Sequence, residues 1–144
     1  KLEPWRLIML DRAALDGLRP ALRETATAAG LDDAGIEKAV SALDSPLIVA
    51  VVSSPQPSGK IPEWEQFMSS GAVALSLVNA ALASGWGAAW LTGLMVTEPA
   101  FGRDYLGLAP SERLVALVHL GSRGDRSAPP ERPRPDISAK VSRL

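Results

Sequence analysis

Apolar positions along this chain fall into a few runs whose spacing separates strand from helix. "RLIML", apolar from Leu7 to Leu10 after a turn-like Pro4, predicts a short strand. Asp11 then opens a segment in which Leu15, Leu18 and Leu22 share one helical face, and Pro20 predicts a break or a kink within it. Asp32 is placed to cap a second short helix, "DAGIEKAVSAL", because its carboxylate can accept the free amides of the first turn. After Pro46, "LIVAVV" is apolar on both faces, which marks a buried strand. "SSPQPSGKIP" reads as loop from its proline, serine and glycine content. Pro62 at a first helical position, with Glu63 and Glu65 in the first turn, starts a helix that runs to about Ser84, where Gly85 ends it. Downstream, Thr97 can cap "EPAFGRDYL", and "LVALVHL" is another strand-like run. Two or three buried strands separated by helices make a layered α+β or α/β domain.

The long helix changes this picture most. From Phe67 to Thr97 there is no charged residue, and length alone allows a membrane span. Against that, Ser69, Ser70, Ser76, Asn79 and Ser84 interrupt the stretch, it is richer in alanine than in leucine, and no basic cluster flanks it. A soluble helix that is apolar on all sides must be covered on all sides, and so small a domain has too few elements to do so alone. The expected cover is the same helix of a second subunit, hence a homodimer and no membrane. The next residues, "GWGAAWLTG" from Gly85 to Gly93, set two indole rings among three glycines with no charge, a pattern suited to bringing backbone close to a flat partner.

Composition narrows the chemistry. At 144 residues, 47% hydrophobic and 22% charged with a formal net charge of −1, the chain is one globular domain, residues 1–144, and nucleic acid is not an expected partner. With no cysteine and a single histidine, His119, disulfides, thiolate nucleophiles and Cys- or His-rich metal sites are excluded. His119 falls in a strand-like run, where a core histidine is expected and a Ser-His-Asp triad is not. Glu63 and Glu65 stand two apart on a helix and point to different sides, which suits helix-end solvation better than acid–base work. No P-loop, G-x-G-x-x-G, G-x-S-x-G or H-E-x-x-H is present, so any hard chemistry belongs to a bound cofactor. The last 23 residues, 122–144, hold six of the 15 Lys and Arg residues and four of the 12 prolines, and read as an extended basic arm. The "RGD" at 123–125 is too short to signify adhesion. Starting at Lys1 and running at once into "LEPWRLIML", the chain reads as one entered mid-fold, without a signal-peptide pattern; a cytoplasmic location is expected.

Three blocks, in order, resemble the nitroreductase family: "LEPWRLIML", "KIPEWEQFMSSGAVALSLVNAALASGWGAAWLTG" and "LVALVHLGS". The likeness is to its small single-domain branch, with a Q-P-W near the start, a P-x-W-E-Q helix entry and a G-x-G-x-x-W-x-[ST]-G segment. Here these read Glu3-Pro4-Trp5, Pro62 to Gln66, and Gly85 to Gly93. The resemblance implies an α+β fold, a central and mostly antiparallel sheet flanked by helices, with a dimer-forming central helix. It implies an FMN-dependent oxidoreductase that uses NADH or NADPH to reduce a small-molecule oxidant, a nitroaromatic, quinone or related acceptor, by ping-pong hydride transfer through flavin N5. A flavin-binding relative without turnover is the alternative.

In the family, the segment matching Trp90, Leu91, Thr92 and Gly93 lies along the isoalloxazine, with the amide at the Thr92 position facing N5; glycine at 93 permits that approach because no Cβ intervenes. The segment matching Ala80, Ala81, Leu82, Ala83, Ser84 and Gly85 is associated with the nicotinamide nucleotide. No side chain is implied as a catalytic group, and no metal. Family members also begin with a few tens of residues carrying an Arg-Arg-Ser phosphate grip, which precede the Q-P-W and are not in this sequence. Arg132 and Arg134 match a basic-x-basic pair of longer relatives and suit a phosphate by charge and geometry; a solvated basic arm is the other reading. Glu3 replaces the usual glutamine, where it would either repel a flavin phosphate or face solvent.

Overall fold

The computed structural model describes residues 2–124 and 131–143. Parts of the expected domain and arm, Asp125 of the "RGD" triplet among them, lie outside the described residues.

Four strands form one antiparallel sheet: β1 (Trp5–Leu10), β2 (Leu47–Ser53), β3 (Gly87–Leu91) and β4 (Arg113–Gly121), in the order β1-β2-β4-β3. The helices are α1 (Arg12–Ala28), α2 (Asp33–Ser41), α3 (Glu63–Ala83), α4 (Gly93–Thr97) and α5 (Pro99–Leu106). Central strand β2 is apolar at every position up to Ser53 because both its faces are covered. Ile48, Ala50 and Val52 face a core with Leu15 and Leu22 of α1, Met95 of α4 and Phe101 of α5. Val49 and Val51 face the opposite way, onto Ala74 of α3. The domain is therefore a three-layer α/sheet/α arrangement. A β-bulge at Val115 shifts the β2–β4 register, with Val51 opposite Ala116 but Val52 opposite Leu114.

Asp11 and Asp32 cap α1 and α2, each accepting a backbone amide three residues on, at 2.9 and 2.8 Å. Four local expectations are corrected. Of the break or kink expected at Pro20, the break does not occur: α1 continues through it to Ala28. Pro20 lies on the exposed side, as does Asp16, whose carbonyl loses its partner and is left to water. Pro62 is the N-cap of α3, with extended backbone, rather than its first helical residue. Thr97 ends α4 and donates to carbonyls of its own turn, Gly93 and Leu94, while Glu98 precedes α5. A fourth strand, β3, runs through "GAAWL".

Candidate functional site

The EPW block and the helix entry "PEWEQ" meet in space. Pro4 O accepts from the Ser54 amide at 2.9 Å and from Ser70 Oγ at 3.3 Å, which ties β1 to β2 and α3. Gln66 is buried, and its amide clamps the 54–62 loop: Oε1 accepts from Gln56 N at 2.8 Å, and Nε2 donates to the Gln56 and Ile61 carbonyls at 3.0 and 3.1 Å. Glu63 and Glu65 are exposed, as helix-end residues are expected to be. Glu3 is exposed too, and stands at φ 47, a left-handed conformation uncommon for a non-glycine residue.

α3 leads into the "GWGAAWLTG" corner. Gly85 ends the helix at φ 85, and β3 then runs as the sheet edge beside β4. Alternation along β3 sends Trp90, opposite Val118, to the α3 face, and Leu91, opposite Leu117, to the face bearing α1 and α4. Both remain accessible, at 40% and 47%. Thr92 follows the last ladder pair, and no acceptor among the described residues takes its backbone amide. Gly93 sits at φ 63, and a Cβ built there would meet nothing within 4 Å. Its glycine is thus required by backbone conformation, and the space beyond it is open. An exposed edge, an unengaged amide and an unfilled space fit a flat polar ring.

Leu91, Thr92, Gly93, Leu94 and Met95 also line a cavity of about 510 Å³ that opens to solvent, together with Gly35, Lys38, Ala39 and Ala42 on the side of α2 and Leu117 and His119 of β4. His119 Nδ1 lies 2.7 Å from Ser45 Oγ, and its buried Nε2 has no partner among the described residues. Burial pushes the imidazole below its ordinary range, so it is neutral near pH 7. His119 is a strand residue in a core, as its apolar setting implied.

Other expected site residues are not gathered here within one chain. Ala80–Gly85 lie at the C-terminal end of α3, separated from Thr92 by the whole of β3, about 15 Å of strand. Ala81 lines a different, apolar hollow with Pro46, Trp86 and Leu120. Arg132 and Arg134 are exposed on the arm and do not line the cavity at Thr92. Sequence reasoning missed Lys38 and the cavity it edges; the small-residue face of Gly35, Ala39 and Ala42 was the signal available.

Comparison with known proteins agrees with this architecture. Residues 1–122 match the profile of the Nitroreductase family. YdjA of Escherichia coli (strain K12), which carries the name of an NAD(P)H nitroreductase, is 32% identical over 122 residues, 84% of this chain and 66% of that protein. A protein of Haemophilus influenzae bearing a similar name is 31% identical over 124 residues, 85% of this chain and 67% of its own. The chain thus spans about two thirds of the length of these relatives. Among solved structures, a nitroreductase-like family protein from Bacillus cereus superposes with a TM-score of 0.76 at 20% identity, over 98% of this chain and 73% of that one. A Bacteroides fragilis nitroreductase with bound FMN superposes with a TM-score of 0.70 at 16% identity, over 98% and 76%.

Proposed function

The chain belongs to the nitroreductase family, and on that premise we propose that it is an FMN-dependent oxidoreductase that takes electrons from NADH or NADPH and reduces a small aromatic oxidant such as a nitro compound or quinone. The observation that carries this reading is the Thr92–Gly93 corner, where an unengaged amide adjoins open space at a left-handed glycine. When bound, FMN supplies the two-electron exchange of a ping-pong cycle in which nucleotide and oxidant use one site in turn.

The residues of this chain supply binding and electrostatics. Trp90 and Leu91 offer exposed apolar surface, and the Thr92 amide is a donor whose direction is fixed by the end of β3 and the start of α4. A fixed donor costs no reorganisation when charge develops at the atom it faces. Gly93 leaves the approach clear. Arg132 and Arg134 are the proposed phosphate partners, and Ala80–Gly85, mostly exposed, the proposed nucleotide surface.

A homodimer belongs to the same proposal. α3 is 21 residues long and contains an 18-residue apolar window of mean hydropathy 1.3, yet only 17% of that window is buried in the isolated chain. Met68, Leu75 and Leu82 recur every seven residues and are all exposed, a stripe suited to pairing with a second copy of itself. The other side of α3, through Ser70 and Ala74, is already packed on the sheet domain, which argues for a subunit seam over a membrane span. A cytoplasmic setting accords with nicotinamide nucleotides as donors.

The test is titration of the purified protein with FMN, followed by anaerobic NADH or NADPH. The reading expects quenching of free-flavin fluorescence on binding and bleaching of the bound flavin by at least one nucleotide. Binding without bleaching by either means a flavin carrier without turnover, and no binding removes the cofactor assignment altogether.

A further inference from the structure

We propose that the cavity between α2 and the 91–95 segment is an acceptor pocket for aromatic carboxylates, with the ring held among apolar side chains and the carboxylate on Lys38. This deepens the flavin reading, since it rests on the proposal that the same 90–93 segment borders the flavin. The cavity, about 510 Å³, is within the range of small-molecule sites and is walled mainly by apolar groups, Leu22 and Leu94 among them. Lys38 is the one formally charged side chain in that wall among the described residues.

Three observations point to a ligand anion rather than to a protein partner for Lys38. Its neighbours one helical turn away are Ala34, Gly35, Ser41 and Ala42, so no acid of α2 lies at the spacing that makes helical ion pairs. The adjacent Glu37 is engaged with Arg23 across to α1, at 2.6 Å. Gly35, Ala39 and Ala42 keep the α2 side of the cavity free of bulk, leaving the lysine at the edge of an apolar slot. The remaining nitrogen-bearing group, His119, is buried and neutral, so it adds no charge of its own. An ammonium at the edge of an apolar wall selects a ligand that is flat and apolar at one end and anionic at the other.

The probes are 4-nitrobenzoate and its uncharged counterpart 4-nitrobenzamide, used as acceptors with FMN-loaded wild type, Lys38→Gln and Lys38→Arg. The ratio of the two KM values cancels their different ease of reduction when it is compared between variants. Lys38→Gln should raise KM for the carboxylate relative to the amide about fivefold, the scale of one partly exposed ion pair, and Lys38→Arg should restore most of it. In parallel, calorimetric titration of cofactor-free protein with 4-nitrobenzoate reads the pocket without the flavin, and Lys38→Gln should weaken that binding by a similar factor. Weakened calorimetric binding in a protein that takes no FMN would retain the pocket and sink the flavin reading. A KM ratio indifferent to Lys38 in an FMN-loaded, active enzyme would overturn the pocket and leave the flavin reading standing.

Discussion

A Cβ placed on Gly71 would stand 3.9 Å from Cη2 of Trp90, so the edge of that indole lies over the one residue of α3 that has no side chain. The helix proposed as the dimer seam and the strand proposed to border the flavin are thereby in contact. At 3.9 Å a methyl group is in ordinary contact, so Gly71→Ala should leave FMN affinity unchanged and gain up to about 1 kcal/mol in thermal unfolding from helix propensity. Gly71→Leu should push Trp90 aside and weaken FMN. Weaker FMN binding in the alanine variant, or none lost in the leucine variant, contradicts this coupling.

Arg6 and Glu112 form a two-point fork, both contacts at 2.7 Å, that fastens edge strand β1 to the entry of β4. The Arg6 guanidinium holds the Glu112 carboxyl down to about 2 from an ordinary 4.5. A carboxyl depressed in the folded state stabilises fully above its unfolded pKa, and that stability is lost as pH falls through the interval from 4.5 to about 2. Glu112→Gln should lower unfolding free energy by about 1 to 3 kcal/mol at pH 7 and flatten this acid limb. Denaturant unfolding at several pH values measures both.

His119 produces a second acid-sensitive step at higher pH. Its imidazole is depressed from 6.5 by burial, so the unfolded chain binds the proton more readily, and stability falls as pH drops below 6.5 toward the folded-state pKa. His119→Asn removes the titration and should abolish the loss between pH 6.5 and the start of the carboxylate limb. A slope there that survives the substitution assigns the effect to another group.

The exposed stripe of α3 predicts association in solution. Sedimentation at micromolar concentration should give a dimer, and Leu75→Glu, which sets a charge at the middle of the stripe, should give monomer or aggregate. A well-folded monomer of the unaltered chain would remove the seam.

Much of the scaffold is legible in the sequence because local rules decide it. Asp11 and Asp32 cap helices by their own chemistry, and "LIVAVV" is apolar on both sides because the strand is covered on both sides. β3 escapes such reading: its glycine and alanines carry no strand signature, and its pairing is set by the distant β4. Pro20 misleads because an exposed turn leaves the freed carbonyl to water. At the candidate site, the Gly85 to Gly93 block was visible as an oddity of rings and glycines. The Ser45–His119 contact was not, and the Lys38 wall showed only as the small-residue face of Gly35, Ala39 and Ala42, since the cavity itself joins residues that only the tertiary fold brings together.

The most direct measurement compares Thr92→Ala with Thr92→Pro in anaerobic bleaching of bound FMN by the better of NADH and NADPH, after flavin content and circular dichroism are matched. Alanine keeps the backbone amide and should leave the rate within about tenfold. Proline removes the donor, and its ring also asks for a φ near −65, against −112 at Thr92, so the corner must shift as well. It should be slower by about a hundredfold or more, the scale for loss of one preorganised donor. An alanine variant that binds FMN normally yet bleaches as slowly as the proline variant would assign the work to the hydroxyl and contradict the backbone account of this corner.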